Sequence, residues 1–424
     1  MMISELLLLF AAGCGGDLPG DPPSARTADE PAAPAQDPDD IRFFWKDGLR
    51  WETANGRVNG RIGGRIQADY ASIGNSRVIE NTRTGSGSKI GAFEDGVEFR
   101  TVRMFMSGEI DDRIGWKAQV DFAGGSAVFK DVYLSFADVA GSGADLQVGQ
   151  FKEPFSLEEL TSSNYITNME RSLANAFAPG RSTGFQLSGQ AEETFTWAAG
   201  VFKDGNDQGL ALNDADTNVT ARVTAVPWTG NGGESLLHVG LNGSYRMPNG
   251  DMLRINQRPE SHLSPRLVDT GAFAVDGQST YGFEAALVLD RWSVQGEYMM
   301  SMADGLAPGA PSVDFSGYYV EGSYFLTDDR RNYDARSGAF SRTKPTASLF
   351  GDDDEACGAW QARLRYSMID LSDGPVLGGE LSDVTAGLTW FLNNNTRIMA
   401  EVVQADLDGV DDTTIFQTRF QVDW

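Results

Sequence analysis

The sequence predicts an all-β fold, a transmembrane antiparallel β-barrel of about sixteen strands. Three observations point there. Apolar and polar residues alternate with a period of two in one segment after another, the only continuous apolar run is Leu6–Ala12, and the chain closes on an alternating segment whose last residue is Trp424. Successive side chains of a strand point to opposite faces, so this alternation makes one face apolar and the other polar. A spanning helix needs about 20 apolar residues in a row, far more than Leu6–Ala12 supplies.

The chain has 424 residues, with 34 Lys and Arg against 60 Asp and Glu and a formal net charge of -26 at pH 7. That acidic balance opposes nucleic-acid binding, which needs basic surface to neutralise phosphates. Glycine is abundant at 49 residues and aromatics make up 10%, as suits alternating strands with tight turns and interfacial rings. The two cysteines, Cys14 and Cys357, exclude a disulfide framework and a cysteine-rich metal site. The two histidines, His238 and His262, have no metal-binding spacing around them. No metal and no cofactor are expected. Lipase-type hydrolysis needs a Ser activated by a base, normally His, and neither histidine has a nucleophile motif beside it. The chain reads as a non-enzyme.

Three stretches divide it. Residues 1–14 read as a signal or targeting segment, with Leu6–Phe10 apolar and small residues after it. Ala11-Ala12-Gly13-Cys14 also resembles a lipoprotein cleavage box, which would leave Cys14 lipidated, and Glu5 stands where a signal expects Lys or Arg. Residues 15–41 are rich in Pro, Ala, Asp and Gly and hold too little apolar surface to offset their ordering entropy, so they read as a disordered linker. Residues 42–424 read as the barrel.

Arg57–Tyr70 sets the barrel's pattern. Arg57, Asn59, Arg61, Arg65, Gln67 and Asp69 fall on one face; Val58, Ile62, Ile66, Ala68 and Tyr70 fall on the other. In a membrane barrel the apolar face meets lipid and the polar face meets water. The same parity runs through Trp116–Phe122, Val219–Ala225, Leu237–Arg246 and Trp360–Met368, and it changes around Val97–Met106, as a bulge would make it. Strands are expected to start near Arg57, Gly96, Arg113, Val128, Asp145, Ser182, Thr194, Asn218, Leu236, Ser279, Arg291, Phe315, Gly358, Leu381, Thr396 and Thr413. Asp290-Arg291 and Asn393-Asn394-Asn395 are short turns, and Gln150–Arg181, Met247–Gln278 and Thr327–Ala356 are long loops. The last strand alternates through Phe416, Phe420, Val422 and Trp424, an aromatic ending common in outer-membrane barrels. Trp and Tyr near strand ends suit interfacial girdles.

Arg57–Arg181 adds a resemblance. Its residues are Gly64-Arg65-Ile66-Gln67-Ala68-Asp69-Tyr70, Phe99-Arg100-Thr101-Val102-Arg103-Met104-Phe105-Met106-Ser107-Gly108, Lys130-Asp131-Val132-Tyr133-Leu134 and Gly149-Gln150-Phe151-Lys152-Glu153-Pro154-Phe155-Ser156, then Thr161-Ser162-Ser163, Met169-Glu170-Arg171 and Pro179-Gly180-Arg181. In order and spacing they resemble the N-terminal third of the phosphate-selective porin family (porins O and P) of the outer-membrane porin superfamily. The resemblance implies a barrel in the outer membrane of a Gram-negative-type bacterium, a homotrimer in contact with lipid and lipopolysaccharide. Small solutes would diffuse through it passively, with a preference for anions or phosphate. It also implies a long third loop folded into the barrel. Phe151–Arg181 sits where that loop belongs, with helix-like pieces at Leu157–Leu160 and Met169–Phe177. A non-strand insertion of about thirty residues is usually functional.

Parity places Arg57, Arg61, Arg65, Arg103, Lys117, Arg222, Arg246, Arg363, Arg365, Arg397 and Arg419 on inner faces. By the resemblance these line the pore and bind anions; a guanidinium stays charged and offers forked donors to oxyanions. Lys152, Arg171 and Arg181 on the third loop would form the constriction. The competing reading pairs the arginines across the lumen with Asp69, Asp121, Glu284, Glu297, Glu321 and Glu401, leaving a general or organic-solute porin with structural arginines. Two readings from other classes are a structural barrel anchored to the envelope through the linker and a barrel enzyme.

Overall fold

The computed structural model describes residues 37, 40–46, 48–192, 194–212, 217–305, 312–351 and 357–424. The targeting segment, most of the linker and the acidic run at 352–355 lie outside the described residues.

Sixteen strands form the barrel wall: β1 (Val58–Ile73), β2 (Gly96–Ile110), β3 (Ile114–Asp121), β4 (Val128–Phe136), β5 (Asp145–Lys152), β6 (Arg181–Ala191), β7 (Phe195–Lys203), β8 (Asn218–Gly230), β9 (Ser235–Arg246), β10 (Gly277–Leu289), β11 (Trp292–Asp304), β12 (Val313–Phe325), β13 (Ala359–Asp373), β14 (Val376–Phe391), β15 (Thr396–Leu407) and β16 (Asp411–Asp423). Each pairs antiparallel with the next, and β16 returns to β1 in a register running from Ile415 opposite Ile73 to Asp423 opposite Arg65. Closure leaves no open edge in the wall, the condition for a sheet in lipid, where no water satisfies exposed backbone groups. Most starts fall within two residues of expectation. The largest shift is at β14, which begins at Val376 rather than Leu381, because β13 and β14 continue pairing past a register shift between Asp370 and Ser372.

The alternation carries over to the two faces. On β8, Val219 and Val223 are exposed outward while Thr220, Arg222 and Thr224 are buried inward; Leu241 and Phe283 continue the outward apolar face. The parity change in β2 is a bulge. Gln67 pairs with Thr101 and Ala68 with Phe99, which leaves Arg100 as the extra residue. Both Arg100 and Arg103 consequently reach carboxylates inside the barrel, Glu170 and Asp121.

The connections divide by barrel end. At the end where β1 starts and β16 finishes, the terminus end, most are short: Asp111 and Asp112 both adopt positive φ, the conformation of a tight hairpin turn. The exception is residues 326–358 between β12 and β13. The sequence marks this stretch as long; the structure puts it at the short-turn end, with residues of its described part, 326–351, folded back against the inner wall. Phe340 and Ala339 are buried there with Leu157 and Val288. At the opposite end, residues 153–180 and 247–276 also turn inward, and Phe155, Leu173 and Phe177 pack with Met299, Phe315, Ile369 and Val403 of β11–β15. The apolar core of this molecule therefore lies inside the barrel, between inserted segments and one side of the wall.

Gly149 in β5 holds φ at 134°, and a Cβ there would overlap the Val132 carbonyl oxygen of β4. Gly149→Val is expected to cost about 1–3 kcal/mol. It should appear as a lowered thermal midpoint of the folded barrel by circular dichroism.

Candidate functional site

The inserted segments fill only part of the lumen. Residues 153–180 cross from β5 to the far wall. The backbone N–H groups of Leu157 and Glu158 donate to Glu297 of β11 at 3.1 and 2.7 Å, and Asn168 Nδ2 donates to Glu321 of β12 at 2.9 Å. Arg365 of β13 is the hub. It lies 3.0 Å from Glu158, 2.5 Å from Glu260 of the 247–276 segment and 3.7 Å from Glu321, and is 1% exposed. Arg363 pairs with Glu401 at 2.7 Å and donates to Asn168 at 3.0 Å. Arg419 grips Asp69 and Glu170, each at 2.6 Å. Arg397 donates to the Ile166 carbonyl at 3.1 Å. Arg222 pairs with Glu284 at 2.6 Å and donates to the Gly338 carbonyl of the 326–358 segment at 2.7 Å. A buried charge is costly unless it is paired and hydrogen-bonded; Arg365, Arg363, Arg419 and Arg222 are both, and Arg397 is held by neutral acceptors, the carbonyls of Ile166 and Ser163 and the Gln421 amide. Glu284, Glu321, Glu401 and Asp69 are the partners expected from sequence; Glu297 instead receives backbone donors.

The other side of the lumen is open. A cavity of about 500 Å³ lies along β1–β6 toward the terminus end. Its lining includes eight cationic side chains, Arg61, Arg65, Arg103, Lys117, Lys152, Arg171, Arg181 and Arg342, against two carboxylates, Asp131 and Asp423. Arg103 pairs with Asp121 at 2.6 Å, and Asp131 is shared by Lys117 and Arg181 at 2.6 and 2.7 Å. Arg65 meets a neutral partner, Asn164 Oδ1, at 2.6 Å, and its buried Nε has no protein acceptor among the described residues. Arg61 stacks on the Phe105 ring at 5.2 Å. A second cavity, about 580 Å³, shares Asp131, Tyr133, Lys152 and Leu160 with the first. A third, about 280 Å³, lies toward the opposite end and is lined by Arg100, Arg171, Arg258 and Arg266, with Glu170 as its carboxylate. Arg171 borders both the first and the third, so cations run from one end of the barrel toward the other.

Arg171 is held firmly. It donates to the carbonyls of Glu158, Glu159 and Thr161, each at 3.1 Å, and pairs with Glu159 at 3.1 Å. Lys152 reaches the same Glu159 carboxylate at 3.2 Å. Burial alone would raise the Glu159 carboxyl, but Arg171 and Lys152 outweigh it and hold the group at about 2. Burial likewise opposes ionisation of Glu170, and Arg100 and Arg419 overcome it and hold that carboxyl well below the usual range.

The expected site residues thus separate. Arg61, Arg65, Arg103, Lys117, Lys152, Arg171 and Arg181 come together around one cavity. Arg222, Arg363 and Arg365, with Arg397 and Arg419, pin inserted segments to the wall. Arg246 pairs with Glu153 at 2.9 Å at the root of the 153–180 segment. Arg57 joins neither group: it precedes β1, its side chain is 67% exposed, and it pairs with Asp111 at 2.5 Å. Sequence reasoning missed Arg342, which sits in a segment without strand parity, and Arg100, which the bulge turns inward; the parity change at Val97–Met106 was the available signal for the latter.

A depressed carboxyl contributes stability that is present above its ordinary value and lost as pH falls through its folded value. The hold of Glu159 on the 153–180 segment is expected to weaken between pH 4.5 and about 2. Thermal midpoints across that window should fall for the unaltered protein. Glu159→Gln should start lower at pH 7, by about 3–5 kcal/mol for the uncompensated cations, and lose less on acidification.

Residues 61–424 match the family described as phosphate-selective porin O and P. Porin O of Pseudomonas aeruginosa is 27% identical over 429 residues, covering 90% of this chain and 92% of that protein. An uncharacterized protein of Caulobacter vibrioides is 29% identical over 381 residues, covering 86% and 71% respectively. Among solved structures, OmpT of Vibrio cholerae aligns with a TM-score of 0.54 at 11% identity, covering 87% of this chain and 98% of that one. The anion-selective porin from Comamonas acidovorans aligns with a TM-score of 0.53 at 11% identity, covering 87% and 100%. The chain belongs to the phosphate-selective porin O and P family and is a porin of the Gram-negative outer membrane.

Proposed function

We propose that the protein passes small anions by diffusion along the β1–β6 side of its lumen, with phosphate-like oxyanions favoured. The observation that carries this reading is the lining of the β1–β6 cavity, eight cationic side chains against two acidic ones. In a narrow, low-dielectric passage such an excess attracts anions and excludes cations. Arg65 adds a buried guanidinium donor without an acceptor among the described residues, the kind of group that an oxyanion satisfies. Residues 153–180 narrow the passage, and Arg171 stands where the two cationic cavities meet. The relatives support this reading: one is a porin O, and one neighbour of the same fold is an anion-selective porin.

The arginines of β8, β13 and β16 are structural in this reading, since each is neutralised by a carboxylate beneath an inserted segment. We further propose a homotrimer in lipid and lipopolysaccharide; OmpT of Vibrio cholerae, of the same fold, is described in a trimer form.

The test is the reversal potential across a planar bilayer under a KCl gradient, repeated with phosphate added. An anion-directed potential and phosphate block of the chloride current are expected. A near-zero or cation-directed potential would instead leave a general porin whose cavity charges are neutralised. Removing one lining charge changes the local energy of a passing ion by about 1 kcal/mol. Arg65→Gln and Arg342→Gln should each lower the chloride-to-potassium permeability ratio by roughly fivefold. Arg363→Met should instead lower the thermal midpoint by leaving Glu401 unpaired, with little change in that ratio.

A further inference from the structure

An N-terminal hairpin, Ile41–Trp45 with Leu49–Thr53, precedes the barrel and lies outside the family match, which begins at residue 61. β1 sets its position. β16 occupies one edge of β1 from Ile73 to Arg65, and Leu49–Glu52 takes over that edge from Ile62 to Asn59. The hairpin therefore continues the barrel wall past the end of β16.

Register then fixes its faces. Trp45 lies opposite Leu49, which lies opposite Ile62; Phe43 lies opposite Trp51, which lies opposite Gly60. Directly opposed residues of antiparallel strands share a face, and Ile62 belongs to the outward apolar face of β1. Ile41, Phe43, Trp45, Leu49 and Trp51 thus all face the lipid side. Ile41, Phe43 and Trp45 are 56%, 63% and 65% exposed.

A second observation says what covers them. All nine tryptophans of the chain lie at the barrel end that carries the termini. The Trp51 ring lies over Gly60 and the Trp116 ring over Gly108, leaving no room for a Cβ at either glycine. Gly60 pairs with Gly108, and Gly108 with Trp116. One row of directly opposed residues thus joins the hairpin's ring to a ring of the wall.

We propose that the hairpin is an interfacial membrane anchor, its aromatic face resting on the phospholipid leaflet at the terminus end of the barrel. Trp belts mark the membrane–water boundary, where an apolar ring with a polar N–H is half wet. The backbone sets the depth. Among the described residues Ile41–Trp45 pairs only with Leu49–Thr53. Its outer edge requires water, so the strand lies at the headgroup boundary and not within the hydrocarbon. The opposite face carries the Arg42–Glu52 ion pair, as a face turned to water would.

The experiment compares the full chain with Trp45→Phe, both in phosphatidylethanolamine–phosphatidylglycerol vesicles whose acyl chains are brominated either near the headgroup or near the chain end. The difference in emission isolates Trp45. Shallow bromines should remove most of that emission, deep bromines less, and aqueous iodide little. Quenching by iodide without quenching by brominated lipid would mean that the face stands in water, and would overturn the proposal. Quenching by neither would mean that protein covers it, a second copy or another part of this chain, and would overturn it equally. Should Trp45→Phe fail to yield a barrel by circular dichroism, Trp51→Phe provides the same reading. The measurement is independent of ion selectivity, so its result does not depend on the pore's preference for anions.

Discussion

The structure depends on neutralising charge inside a water-filled wall. A barrel of sixteen strands has a lumen too wide for its own side chains to fill, and here three connecting segments enter it. Their anchors are ionic. Arg365 gathers Glu158, Glu260 and Glu321 from two inserted segments and the wall, while Arg419 and Arg363 hold Glu170 and Asn168 beside it. Removing one partner from such a network strands the others as buried charges, which is why breaking it costs more than making it gains. The network also gives the segments one position, and that position determines where open space remains.

The open space lies where the carboxylates do not. On β8, β13 and β16 the inward cations meet Glu284, Glu260, Glu158, Glu401 and Asp69. On β1–β6 the acids are fewer and shared: Asp131 serves both Lys117 and Arg181, and Arg65 meets the Asn164 amide oxygen. The same residue type therefore does two jobs, and the difference lies in the partner rather than in the arginine. Partial pairing suits passage. In the proposed anion passage, a fully unpaired series would bind an anion too strongly to release it, whereas shared carboxylates would keep each site shallow enough to leave.

Much of the wall was legible in the sequence, because a closed membrane sheet imposes one rule on every strand. Outward residues must suit lipid, so parity alone located sixteen starts and sorted Lys117, Arg222 and Arg363 to the inside. That rule ends where the strands end. Arg57 keeps the alternation into the turn before β1 and so looked like a lining residue, yet it faces solvent beside Asp111. The segment 326–358 carries no period at all, and nothing in its composition says that its described part folds back into the barrel, with the Phe340 N–H donating to the Thr161 hydroxyl of the 153–180 segment. Arg342 was invisible for that reason. The division of the arginines was hidden too, since it turns on pairs such as Arg365 and Glu158, which are 207 positions apart.

The bulge in β2 shows how one local irregularity reshapes the site. In an unbroken strand Arg100 would share the parity of Val102 and Met104 and point toward lipid, where a guanidinium is costly. The extra residue lets both Arg100 and Thr101 reach inward partners, and Arg100 completes the clamp on Glu170 that Arg419 begins. Glu170 adjoins Arg171 in the chain, so holding Glu170 from two sides also fixes the backbone that presents Arg171 between the cavities. The register shift thus acts on the passage through two steps, a relocated cation and a clamped carboxylate. Bulges near functional sites re-aim a side chain at the expense of a ladder bond, and here the re-aimed side chain supports Arg171, which borders two cavities, without lining the β1–β6 cavity itself.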